Sequence, residues 1–253
     1  MEAIWKWAAY GKHPAAKDFF RLGQFGPLLM DFSRWVEKGY QLFAARRKSS
    51  QNSWRFWTRG LGKDGLGCGV VRDSGDQLAR PYPLLIMGVG ALNGWEDQWD
   101  LNPLACERSW TQMEYLFTRT FGNLKQMEEE VQKIPPPLSK WSELRQARRS
   151  SGGPPSMNPE PSSPGLQVVE RQLSKLAREA EFFLPLASEL FPDPAGGIHD
   201  LHSFLKKEEK NIPQSVFMGG TLERAHLAVF RRPLVPAYFE KLWTGSPRGG
   251  AKE

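Results

Sequence analysis

Residues able to do chemistry gather in one polar interval. Arg72, Asp73, Ser74, Asp76 and Arg80 fall inside GVVRDSGDQLARPYPLLIMG, the run from Gly69 to Gly88. A serine beside carboxylates would suit hydrolysis if a histidine came within reach, because triads are assembled in space rather than in sequence. His13 is the other residue such a hydrolase would draw on. The run has no GxSxG, however, and Ser74 has no strand-to-helix elbow around it. Asp76 and Arg80, four apart, could instead hold a turn through a charge-assisted hydrogen bond, and Arg55 could supply a similar guanidinium. Three readings are therefore open: an ion-paired turn, a recognition surface, or a catalytic loop.

Other chemistry has less support. His199 and His202 stand at i and i+3, which would put both imidazoles on one helix face. No further ligand pair at recognisable spacing joins them. Cys68 and Cys106 are far apart with no CxxC, so neither a metal knuckle nor a disulfide framework is indicated. Gly65-Leu66-Gly67-Cys68-Gly69 is glycine-rich but leads into a strand, without the positive dipole of a helix start. No catalytic residue, cofactor or metal site is expected.

The elements that must position these residues follow from periodicity. Ile4 to Ala9 reads as a strand closed by Gly11 and Pro14. Leu28, Phe32, Trp35, Val36, Gly39, Leu42 and Phe43 recur at helical spacing after Pro27, in a helix that should end near Arg46. Trp54 to Thr58, Gly67 to Val71 and Tyr82 to Val89 read as strands. Asn102-Pro103 predicts a helix start, with Asn as the cap and Pro at the first helical position. A stripe from Trp110 through Met113, Phe117, Phe121, Leu124 and Met127 to Val131 continues it as far as Pro135-Pro136-Pro137. Leu166, Val169, Leu173, Leu176, Ala180 and Phe183 predict another helix. Ser215 to Met218 and Ala225 to Phe230, around Gly219-Gly220, predict a hairpin, and Pro236 to Trp243 a closing helix. Strands mixed with singly striped helices predict a sheet covered on both faces.

Composition bounds the function. With 40% apolar residues and ten tryptophans the chain can build a core, and no apolar run is long enough to span a bilayer. The early Glu2 and the lack of an apolar h-region argue against a cleaved signal peptide. With only two cysteines, a cytoplasmic location is expected. The net charge of +6 raises nucleic-acid binding. Its basic residues are scattered, the acidic run Glu128-Glu129-Glu130 interrupts them, and no nucleic-acid motif accompanies them. A solvated basic surface is the expectation.

The order of these pieces resembles a known family. Tyr10-Gly11-Lys12-His13-Pro14-Ala15-Ala16-Lys17-Asp18-Phe19 is similar to the GKLPSRGDF opening of the type VI secretion-associated TagF (ImpM) family. Trp35 after Phe32-Ser33-Arg34 sits where that family has a Trp-x-x-Trp-Leu helix. Trp54-Arg55-Phe56 resembles its WRF strand. Gly69-Val70-Val71, Asp76-Gln77-Leu78-Ala79-Arg80 and Tyr82-Pro83-Leu84 resemble its next block, and Ser215-Val216-Phe217 with Leu234 and Phe239 its tail. The likeness is strong over residues 4–90 and looser over 213–243. Lys17, Phe32 and Arg72-Asp73-Ser74 depart from the family pattern.

The resemblance implies a three-layer α/β/α sandwich with a mixed sheet, the C-terminal hairpin and helix packed on the same core. The chain is expected to divide into a TagF-like α/β core over 1–147, a flexible loop over 148–165 whose Gly/Ser/Pro composition cannot build a core, a C-terminal part over 166–245 completing the same domain, and a disordered tail over 246–253. The resemblance implies a non-catalytic accessory protein of the bacterial cytoplasm. Such a protein would restrain type VI secretion after translation by binding a forkhead-associated scaffold, without membrane insertion or nucleic acid. Asp18, Arg55, Arg72, Asp76, Gln77 and Arg80 are the expected structural or interaction residues. Asp76 and Arg80 would hold the loop, while Arg72 and Gln77 face the partner.

Overall fold

Large apolar side chains along Ser53–Arg59 alternate in the side of the sheet they serve, and that alternation organises the molecule. The computed structural model describes residues 4–44, 51–151, 179–186, 194–208, 211–221 and 223–244. Among them are strands β1 (Lys6–Gly11), β2 (Phe20–Gly23), β3 (Ser53–Arg59), β4 (Gly65–Arg72), β5 (Leu84–Ala91), β6 (Glu181–Pro185), β7 (Ser215–Gly220) and β8 (Ala225–Phe230). They form one eight-stranded sheet in the order β2-β1-β5-β4-β3-β7-β8-β6. Every pairing is antiparallel. The mixed sheet expected from the sequence is thereby corrected. Side-chain periodicity carries no strand direction, and the short connections here reverse the chain as hairpins do.

The helices are α1 (Pro27–Ala44), a short 3-10 helix (Glu96–Leu101), α2 (Asn102–Thr118), α3 (Leu124–Val131), α4 (Trp141–Ser151), α5 (Pro194–Glu208) and α6 (Pro236–Thr244). Trp54 and Phe56 of β3 pack with Phe32 and Trp35 of α1 and Phe239 and Trp243 of α6. Trp57, on the opposite side of the strand, belongs to the second core, which also holds Trp110 and Met113 of α2, Met127 of α3 and Leu205 of α5. Gly39 lets α1 and α6 approach, since a β-carbon there would overlap the Phe239 side chain. β7 pairs with β3, so the C-terminal hairpin extends the sheet built by the first ninety residues.

Several sequence readings change. The single helix expected from Asn102 to Val131 is two. Arg119 leaves the helical conformation, and Asn123 caps α3 by accepting from the Gln126 amide at 3.0 Å. The apolar stripe hides this break because Phe121, in the gap, is also buried. Asn102 is not a cap. It is the first helical residue, and neither end of its buried amide has a hydrogen-bond partner among the described residues. Residues 148–151, expected to open the linker, belong to α4 instead, and Arg148 pairs with Asp100 at 2.6 Å. Phe183, expected to end a helix, lies in β6. The rest of that stretch, residues 166–178, lies outside the described residues, as do 152–165 and 245–253.

Candidate functional site

Two loops leave the sheet at the same end because β1 pairs with β5, Gly11 opposite Leu84. Residues 12–19 join β1 to β2, and residues 73–83 join β4 to β5. Gly11 has φ +130, and a side chain there would strike the Pro83 carbonyl. Only glycine suits the point where the loops first touch.

Asp76 fastens them. Its side chain is 0% exposed. Lys12 Nζ donates to Oδ2 at 2.9 Å and Arg80 Nε at 2.7 Å. The Leu78 and Arg80 amides each donate to Oδ1 at 3.0 Å. Burial alone would raise the pKa of this carboxyl. The hydrogen bonds from Lys12, the two amides and the Arg80 guanidinium outweigh burial and hold it at about 2. Backbone contacts add to the clamp. The Gln77 amide donates to the Ala16 carbonyl at 3.0 Å, and Arg80 Nη2 donates to the Lys17 carbonyl at 2.7 Å. Asp18 stands at the rim, 3.8 Å from Lys12 and 3.6 Å from Arg80. Ala79 is held at φ +56, a left-handed conformation uncommon for a residue with a side chain. Tyr82 supports the loops from within, meeting Phe19 at 4.4 Å and Tyr40 at 4.8 Å between ring centroids.

Arg55 and Arg72 belong to a different place. Period two sends both to the side of the sheet that carries Trp57 and Val70, under α2. Arg55 makes a bidentate pair with Glu114 at 2.7 and 2.6 Å and reaches Glu107 at 2.9 Å, above the Trp110 ring. The Glu114 hydrogen bonds raise its pKa against the opposing effect of burial. Arg72 makes no ion pair with another described residue. With Arg55, Glu107, Trp110, Met218 and Gly219 it lines a cavity of about 660 Å³. That volume is in the range of small-ligand sites.

Of the six residues singled out in the sequence, Asp18, Asp76, Gln77 and Arg80 come together, while Arg55 and Arg72 stand apart on the cavity wall. Sequence reasoning missed Lys12, Glu107 and Glu114. The two glutamates are seven apart, two helical turns on one face, and that spacing opposite a strand arginine was the available signal. Lys12 had no local signal, since its partner is 64 residues away.

The nucleophile candidates are differently placed. The Ser74 hydroxyl makes no hydrogen bond to another described residue, and its carbonyl accepts from the Tyr82 amide at 3.0 Å. His13 is buried beside Phe121, and its Nδ1 accepts from the Ala15 amide at 3.1 Å. Burial lowers its pKa. His202 Nε2 accepts from the Trp57 indole at 3.3 Å. The His199 side chain lies outside the described residues. Cys68 and Cys106 are buried free thiols. Among the described residues no group of three or more His, Cys, Asp or Glu could hold a metal ion. No described helix is long and apolar enough to cross a membrane.

Comparison with known proteins bears on the whole of this region. No curated protein matches the chain. A crystal structure at 2.05 Å resolution, PA0076 from Pseudomonas aeruginosa PAO1, is similar over 98% of this chain and 98% of its own, with a TM-score of 0.53 and 16% identity. That likeness establishes shared fold. The profile of the TagF N-terminal domain, type VI secretion system-associated, matches residues 8–134, which include both clamped loops, Arg55 and α2. The chain belongs to the type VI secretion-associated TagF family.

Proposed function

We propose that this protein is a non-catalytic regulator that restrains type VI secretion after translation, working in the bacterial cytoplasm by binding a forkhead-associated scaffold protein. The observation that carries the reading is the family match over residues 8–134, which encloses the clamped loops. The geometry is consistent with binding rather than turnover. Lys12, Asp18, Asp76 and Arg80 are tied to one another, and among the described residues no base is positioned on Ser74. A catalytic site would need a nucleophile, a base and an oxyanion donor converging. On this reading the helices on both sides of the sheet make a three-layer α/β/α scaffold, and the loops at its end are the working surface.

The test combines two measurements. Titration of the purified full chain with the forkhead-associated scaffold of the same secretion system should give saturable binding at micromolar or better affinity. Overproduction in the native host should lower secretion without lowering the amounts of the secretion proteins. No binding together with unchanged secretion would reject the reading.

A further inference from the structure

We propose that the paired loops 12–19 and 73–83 are the docking platform. Phe19 and Leu78 serve as apolar anchors for a folded partner protein that presents an apolar pocket with an acidic rim. This inference rests on the preceding reading, with the scaffold as that partner.

Phe19 is 52% exposed and Leu78 is 73% exposed. Single apolar residues in water are common, but these two sit on loops that are unusually well tied. Leu78 lies between the Asp76 and Arg80 ends of the carboxylate clamp, with its own amide bonded to Asp76 at 3.0 Å. Phe19 is fixed by the Tyr82 ring on one side and by the Lys12 ammonium, 4.7 Å from its centroid. An ordinary exposed loop loses conformational freedom when it binds. Here the bonds of Asp76 have already removed it, which is the economy expected of a binding surface. The strained Ala79 between them fits the same account, since strain persists where the surroundings over-determine a loop.

Charge selects the partner. Lys12 and Asp76 cancel beneath the surface, both nearly inaccessible. Lys17, Arg80 and Asp18 are the exposed loop charges, Asp73 is half-buried and accepts from the Trp243 indole and the Asn52 amide, and Arg21 is exposed just beyond. A positive excess around two apolar anchors fits an apolar depression with acidic edges. Phenylalanine and arginine are also among the residues enriched at protein interfaces.

The experiment titrates the full-length chain with the forkhead-associated scaffold, using Leu78→Asp, Phe19→Ala and the control Leu61→Asp. Leu61 is 71% exposed at the opposite end of the sheet, in the β3–β4 turn. Leu78→Asp and Phe19→Ala should each weaken binding by about tenfold or more, with the melting temperature unchanged for Leu78→Asp, while Leu61→Asp binds as wild type. Lys17→Glu should slow association at low salt, with the effect fading as salt rises. If wild type binds and the loop variants bind equally well, the platform is wrong and the regulator reading stands. If wild type does not bind, the reading fails and the platform falls with it. A dimer of this chain that Leu78→Asp dissolves would overturn the choice of partner.

Discussion

At the scale of single residues, Asp76 is where fold and loop meet. Its folded pKa, about 2, lies below the ordinary value of 3.8. The ionised form is therefore favoured by folding, and the carboxylate contributes stability that is fully present above about pH 4. That contribution is lost as pH falls through 2. Thermal melts of wild type and Asp76→Asn between pH 2 and 6 should show a constant gap at the upper end that closes towards pH 2. A gap independent of pH would mean that the charge of Asp76 is immaterial. Lys12→Ala removes a charged hydrogen bond from a buried acceptor and should cost about 1.5–3 kcal/mol in urea unfolding. The Asp76–Arg80 pairing was legible in sequence because its partners are four apart. Lys12 was not, since only the pairing of β1 with β5 brings it near. Arg55, expected to help hold the loops, pairs instead with Glu107 and Glu114, because those partners depend on which helix lies above β3.

At the scale of elements, the contact between α1 and α6 depends on a missing side chain. Gly39→Ala should push Phe239 aside and destabilise the protein by about 1–3 kcal/mol, although alanine is the better helix former. An equal or higher melting temperature would show that α6 can shift without cost. Asn123→Ala should cost about 0.5–2 kcal/mol through the lost cap of α3. Helix α1 was readable because the residues it buries against the sheet and α6 form one stripe. The break between α2 and α3 was hidden in the apolar pattern, although Asn123 three residues before Gln126 was a visible cap signal. The 3-10 helix over Glu96–Leu101 has too short a period to stand out from a loop.

At the scale of the whole molecule, the two ends of the chain share one sheet. A chain ending after Ser151 keeps β1 to β5 but loses β7 from the side of β3 and α6 from over Trp54 and Phe56. It should lack a cooperative thermal transition and near-ultraviolet circular dichroism. A sharp transition in that truncation would show an independent N-terminal unit. Sequence patterning found six of the eight described strands and missed β2 and β6. Their common antiparallel direction and the central position of β3 are properties of pairing, and no single segment carries them.

The position of β3 has a consequence for synthesis. Its free edge waits for β7, which is translated roughly 150 residues later, a delay of roughly 8–30 s at about 5–20 residues per second. During that interval a strand holding Trp54, Phe56 and Trp57 offers unpaired backbone beside large aromatic rings. Such an edge recruits other chains. The nascent protein is thus most vulnerable to aggregation after its N-terminal sheet has formed and before its hairpin arrives. Slowing translation between residues 60 and 215 should lower the soluble yield, and a holding chaperone supplied over that window should restore it.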